Sequence, residues 1–396
     1  MTRIYMTQAR TYLDYNATAP VLPEAAEAMA RVLRQPCNAS SVHGFGRAAR
    51  QILDEARANI AAALHAEGAQ IIFTATGTEA NNLALRGFRD AQHLAVSAVE
   101  HPSVLKPAED RKAAMIPVDG QGIVRLEALE ALLKAASGKT LVSVMLANNE
   151  TGVIQPIAEI AQLVYAHGGF LHMDASQACG KIPVDFNVLN VDMITVSGHK
   201  FGAPQGAAAL IVKKGVHLSA QITGGGQESG YRAGTENVAA IAGFAKALEI
   251  VIPAQAGIHS ESCTGGEMDS RLRGNDVEKL RDHLETQILT LAPEAIIFGK
   301  HAPRLLNTSC IALPGMNGET QLINFDLAGI AVSSGSACSS GRVAVSHVLL
   351  AMGVEKPLAE CAIRVSLGRE TTRDDIDRFL AVWKRNHEKT LLKKAA

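Results

Sequence analysis

The sequence predicts an α/β fold in which a large domain, built on a mostly parallel sheet, is followed by a smaller α+β domain. Three observations carry this expectation. Short apolar runs alternate with Ala/Leu-rich helical patterns through the first 250 residues, the rhythm of crossover units whose sheet is covered on both faces. After residue 277 the pattern changes to mixed short strands and helices. The chain also has 396 residues, 47% of them apolar and 19% charged, enough for two domains around a large core.

Strands are expected at 70–75, 93–98, 140–147, 169–174, 193–197 and 207–212. Helices are expected at 24–33, 48–65, 79–88, 125–136, 156–167 and 241–251. In the second part a helix at 277–291 precedes strand-like runs at 296–298, 306–312 and 330–333. A helical stretch at 345–352, a strand at 361–366 and a helix at 372–383 follow. The division expected is a large domain over 13–250 and a small domain from 1–12 with 277–396. Residues 253–276, dense in Gly, Ser and charge, interrupt the helical pattern and predict an inserted, solvent-exposed loop. Cys263 within it is not expected to be catalytic.

Several function classes drop out on composition. The 38 basic and 39 acidic residues are well mixed, without a basic stripe, so no direct nucleic-acid partner is expected. No apolar run approaches membrane-spanning length, and Met1-Thr2-Arg3-Ile4-Tyr5 lacks a secretory apolar segment. The six cysteines (Cys37, Cys179, Cys263, Cys310, Cys338, Cys361) form no C-x-x-C pair and suggest neither a disulfide framework nor a resident metal site. A cytoplasmic location is expected on these grounds.

The chemistry-bearing residues fall at the ends of the expected strands, where open α/β sheets bind ligands. The apolar run through Val191, Met193, Ile194 and Val196 leads into Ser197-Gly198-His199-Lys200, and Gly202 and Pro204 stop it. A lysine held there is desolvated, can lose its proton, and can attack an aldehyde. Leu171-His172-Met173-Asp174 is a second strand ending in an acid. Such a lysine with an aspartate able to hold a pyridinium nitrogen is the protein's side of pyridoxal phosphate chemistry. Taken alone, the lysine block leaves a surface lysine beside a turn equally open.

Other motifs add to it. Phe73-Thr74-Ala75-Thr76-Gly77-Thr78-Glu79 passes from strand to helix through Gly and Thr, a start that can cradle a phosphate. Glu100-His101-Pro102-Ser103 and Asn148-Asn149-Glu150-Thr151-Gly152 follow two further strands and offer an imidazole and side-chain amides. The stretch from Gly224 to Asn237 is too glycine-dense for a helix or strand and reads as a polar site loop. In Ser333-Ser334-Gly335-Ser336-Ala337-Cys338-Ser339-Ser340-Gly341 a single cysteine sits amid small residues, a candidate nucleophile if its thiolate is promoted. Arg364, inside the apolar strand Ile363-Arg364-Val365, needs an anion, and an amino-acid carboxylate fits its fork.

From Tyr12-Leu13-Asp14-Tyr15-Asn16-Ala17-Thr18-Ala19-Pro20 to about Thr372 the chain resembles the cysteine desulfurases of the NifS/IscS group, in the class-V aminotransferase family of fold type I. The Ser-Gly-His-Lys block, Gly-Gly-Gly-Gln-Glu, Arg-Ala-Gly-Thr-Glu-Asn and Ser-Ser-Gly-Ser-Ala-Cys occur together and in order. The resemblance implies a seven-stranded type of sheet, pyridoxal 5'-phosphate as cofactor, and a homodimer. It implies that Lys200 carries the cofactor, Asp174 pairs with its pyridine nitrogen, His101 lies over the ring and Gln177 near the ring hydroxyl. Gly77, Thr78, Ser197 and His199 would hold the phosphate, with Thr235 reaching that of the other subunit. Asn149, beside the cofactor, and Arg364 would bind the carboxylate of L-cysteine. Cys338 would take the sulfur as a persulfide for a sulfur-acceptor protein or scaffold, in iron–sulfur cluster or thio-cofactor biosynthesis. No metal site is implied beyond a transient contact of Cys338 with a cluster. Another fold type I enzyme, a selenocysteine lyase or an aminotransferase, is the alternative.

Overall fold

The computed structural model describes residues 10–252, 270–334 and 345–395. Its central sheet has seven strands: β2 (Gln70–Thr74), β3 (His93–Ser97), β4 (Ala114–Ile116), β5 (Thr140–Ser143), β6 (Phe170–Asp174), β7 (Met193–Ser197) and β8 (Ala208–Val212). The short β1 (Thr11–Tyr12) lies outside it. The strand order is β2-β8-β7-β6-β5-β3-β4, and only β8 runs antiparallel to its neighbours. β5, β7 and β8 are buried along their whole length. That explains their unbroken apolar runs: with helices on both faces, no side of the strand meets water.

The two faces are separate cores. Ile71, Phe73, Val142, Met173, Ile194 and Ile211 pack on one side. Ile72, Leu94, Val96, Leu141, Met193 and Leu210 pack on the other. The helices that cover them are α1 (Pro23–Leu33), α2 (Gly44–Ala63), α3 (Gly77–Gly87), α4 (Pro102–Asp110), α5 (Leu126–Ala135), α6 (Ile157–Ala166), α7 (Phe186–Leu189) and α8 (Val238–Val251). β5 ends at Ser143, yet Val144 and Leu146 still donate to the carbonyls of His172 and Asp174, so the extended chain runs on beside β6.

The elements that the sequence reading lacked include β4, α4 and the helix Gly318–Leu327. β4 is a three-residue edge strand, too short to show a period. α4 carries Pro102 in its first turn and Pro107 inside it, which masks its helical pattern.

The C-terminal part holds a three-stranded antiparallel sheet of β9 (Ile296–Ile297), β10 (Thr308–Ala312) and β12 (Ala362–Ser366). β11 (Ile330–Ala331) pairs in parallel with β1, which ties the N-terminal segment to this part. The helices Ser270–Leu291 and Arg373–Ala395 close it through Leu284, Ile288, Ile376, Phe379 and Trp383. The first of these helices begins at Ser270, so residues 270–276 of the expected loop are helical, and Gly274 is the one poor helix former among them. Residues 253–269, with Cys263, lie outside the described residues. No helix among the described residues is long and apolar enough to cross a membrane.

Candidate active site

β7 ends at Ser197, and one 3-10 turn, Gly198–Lys200, places the lysine just beyond the strand's carboxyl end. Glycine is required at 198, because a Cβ there would lie 2.6 Å from the Phe244 ring. Lys200 Nζ donates to the carbonyls of Asn16 (2.8 Å) and Ala17 (2.9 Å). Asn16 is buried and uses every polar atom it has. Its N–H donates to Ser366 Oγ, and its Nδ2 donates to the Asn149 carbonyl and Thr308 Oγ1. Its Oδ1 accepts from Lys181 and Asn307, and its carbonyl also accepts from Gln177 Nε2.

On the next strand, Asp174 closes β6. Its Oδ2 accepts from Asn81 Nδ2 at 2.7 Å and its Oδ1 from the Ser176 N–H at 2.9 Å. Asn81 also donates to Ser103 Oγ at 2.9 Å, and both the N–H and the hydroxyl of Ser103 meet Nδ1 of His101. With Nδ1 accepting, the neutral ring carries its proton on Nε2. Burial lowers the His101 pKa against the pull of Asp174, and Lys200 and His347 add to the fall. Below Asp174, His172 is enclosed between Ser143 and Thr195, and burial pushes it down to about 4.

The start of α3 is capped by two of its own side chains. Thr76 Oγ1 accepts from the Glu79 N–H, and Glu79 reaches back to the Ala75 N–H. Arg232 pairs with Glu79 at 2.8 Å, which joins the Arg-Ala-Gly-Thr-Glu-Asn motif to this helix start. A Cβ on Gly77 would lie 3.1 Å from Ser197 Cβ, 3.3 Å from Ser176 Oγ and 3.4 Å from Ser197 Oγ. The missing side chain therefore leaves a small cradle walled by two hydroxyls, facing N–H groups that a helix leaves unbonded in its first turn. An anion with several acceptor oxygens fits such a place.

The other expected residues sort as follows. Gln177 is buried, with its amide turned to Asn16 and Lys181. His199 meets Thr18 Oγ1 through Nδ1 at 3.2 Å, and burial, helped by Lys200, pushes it down to about 4. Thr78 is exposed in the first turn of α3. Arg364 has an anion from within the chain: Nη2 donates to Asp14 Oδ1 at 2.6 Å and Nη1 to the Asn149 carbonyl at 3.0 Å. Its Nε is buried without a hydrogen-bond partner among the described residues. Asn149 thus meets Arg364 through its backbone. Thr235 is exposed and makes no hydrogen bond to the others among the described residues.

Cys338 lies outside the described residues. On either side of its segment, Ser333 pairs with the backbone of Arg364, Ser346 donates to Glu150, and His347 bonds the Glu100 carbonyl. Cys179 and Cys310 are fully enclosed, and burial pushes both thiols up, Cys179 to about 12.

Sequence reasoning passed over Asp14, Asn16, Asn81, Ser103 and Lys181 as site residues. Asn81 left a readable sign, a polar residue within the buried stripe Ala80, Asn81, Ala84 of α3. Asn16 lay within a quoted motif without a role.

A seven-stranded sheet with one reversed strand and a lysine–aspartate pair at the carboxyl ends of its central strands defines a pyridoxal-phosphate-dependent enzyme of fold type I. The chain belongs to the class-V aminotransferase family, whose profile matches residues 11–379. It is 39% identical over 389 residues to a cysteine desulfurase IscS of Dictyoglomus turgidum, covering 96% of this chain and 94% of that one. Among solved structures it resembles a NifS-like protein from Rickettsia africae, with TM-score 0.86 and 36% identity over 96% of this chain and 100% of that one. It also resembles a structure described as SspA in complex with cysteine, with TM-score 0.73 and 27% identity over 91% and 100% of the two chains.

The residues present fit the cofactor. The cradle at Gly77 suits its phosphate, and Asp174 spends one hydrogen bond on each oxygen, leaving acceptor capacity for a ring N–H.

Proposed function

We propose that the chain is a cysteine desulfurase, converting L-cysteine to L-alanine while the sulfur passes to Cys338. The observation that carries this reading is the hydrogen-bonded set joining Lys200, Gln177, Asn149 and Arg364 through Asn16. It stands in a chain about 40% identical to proteins named cysteine desulfurase. In this reading Lys200 holds pyridoxal phosphate, Asp174 faces its pyridine nitrogen, and Gly77, Thr78, Ser197 and His199 surround its phosphate.

Bound there, the cofactor withdraws the electron pair left on Cα when a proton is removed. Lys200 Nζ is the base that takes that proton. Arg364 spends one N–H of each terminal nitrogen on Asn149 and Asp14, which leaves Nε and the remaining terminal N–H groups as donors for the substrate carboxylate. His101, kept neutral by burial with its proton on Nε2, moves a proton near the ring. The thiolate of Cys338 attacks the substrate sulfur as the Cβ–S bond breaks, and Cβ gains a proton. The sum is L-cysteine plus enzyme thiol giving L-alanine plus enzyme persulfide.

The persulfide then serves an acceptor protein or scaffold, in iron–sulfur cluster or thio-cofactor synthesis. In a homodimer, the exposed Thr235 would reach the partner's phosphate site. The described cysteines Cys37, Cys179, Cys310 and Cys361 are free thiols, which supports a reducing cytoplasm.

The test is alanine formation from L-cysteine with pyridoxal phosphate and a thiol reductant, comparing wild type with Cys338→Ser. Alanine from wild type and a loss of at least about 100-fold in the mutant is the expected result. Equal alanine from both would leave a lyase that releases sulfur by another route.

A further inference from the structure

Lys181 follows Gln177 by four residues in the turns after β6, and its amino group donates to Gln177 Oε1 and Asn16 Oδ1, both at 2.7 Å. Both acceptors are neutral amides. The charged groups bearing on it are Lys200 and Arg364, both cations, and Asp14 is paired with Arg364. Lys200 in turn is faced by Lys181, His101 and His199. A partly buried amine among cations is a poor way to stabilise a fold, since buried charges ordinarily have a counter-ion.

What the placement achieves is orientation. Lys181 donates to both amides, and an amide accepts only at its oxygen. Lys181 therefore turns Gln177 with Nε2 toward the Asn16 carbonyl, and turns Asn16 with Nδ2 toward Asn149 and Thr308. The first turn meets the Asn16 carbonyl oxygen, which also receives Lys200 Nζ. The second ties the Asn16 side chain to its neighbours, so that the residue carrying that carbonyl is held at both ends.

We infer that Lys181 is a positioning residue of this site, fixing the amides of Asn16 and Gln177 so that the Asn16 carbonyl is held against the Lys200 amine. A second amine here also disfavours a proton on the nitrogen of Lys200. The effect is mutual: burial, with Lys200 and Arg364 as neighbours, pushes the Lys181 amine well below its ordinary value. The inference rests on the reading that Lys200 holds pyridoxal phosphate.

The experiment is a pH titration of the visible absorption of the holoenzyme, with the cofactor dissociation constant measured alongside. Wild type must show a visible band that Lys200→Ala abolishes; its absence would sink the functional reading and leave no such site to position. Given that band, Lys181→Met should raise the titration midpoint by about one pH unit and weaken cofactor binding about tenfold. Lys181→Gln, which keeps a donor without the charge, should raise the midpoint with a smaller loss of affinity. A folded Lys181→Met protein with the wild-type midpoint and affinity overturns the inference. If only the Gln variant folds, an unchanged midpoint overturns it; if neither folds, Lys181 serves the fold and the positioning role is overturned.

Discussion

Glu100 is wholly enclosed beside the site, with one oxygen taken by Ser97 and the Met145 N–H and the other buried without a partner. Burial pushes its carboxyl up to about 8 against those two hydrogen bonds, and the Asp174 carboxylate adds to the rise. The native protein therefore keeps this proton from the ordinary carboxylate range up to about pH 8, whereas the unfolded chain releases it. Stability must fall as pH rises through that window, by on the order of 1 kcal/mol per pH unit from this group. Glu100→Gln cannot ionise, so its urea midpoint should change less between pH 5 and 8 than that of wild type. At this scale the sequence showed Lys200 and Asp174, because each closes an apolar strand with a charge. It did not show Asn16, whose partners Asn149 and Ser366 stand 133 and 350 positions away. Hydrogen bonds across such separations leave no local pattern. The internal anion of Arg364 was missed for the same reason, since Asp14 is 350 positions from it.

Among the elements, α3 links local sequence to chemistry most directly. Thr76 and Glu79 fix where the helix begins, and Gly77 leaves its first turn open toward Ser176 and Ser197. A methyl group at 77 would sit in tight contact with those serines rather than in a clash no repacking could relieve. Gly77→Ala should therefore fold, with the thermal midpoint little changed. Its dissociation constant for pyridoxal phosphate should rise at least about tenfold, read by titrating the apoprotein with cofactor. Loss of affinity only through unfolding would show instead that Gly77 serves packing. The long buried strands were legible because both faces are covered and the apolar runs are unbroken. β4 and α4 were not, one for its brevity and the other for its two prolines.

In the whole molecule, the antiparallel sheet of β9, β10 and β12 lies where the sequence pattern changes after residue 277. The composition of 253–276 marked a break, but helical hydrogen bonding reaches back to Ser270, where the residues are tolerable helix formers despite their polarity. Deleting 253–269 alone should leave alanine formation within about twofold of wild type, whereas lost cofactor binding in a folded deletion protein would make that segment part of the working enzyme. Residues 11–16 run between the two parts, pairing with Ile330 and Ser366 on one side and with Asn149, Gln177 and Lys200 on the other. A ribosome makes Asn16 350 residues before Ser366. The seat of Lys200 is therefore assembled only after β12 has been made, and a nascent or truncated chain lacking β12 has the lysine but not the frame that aims it.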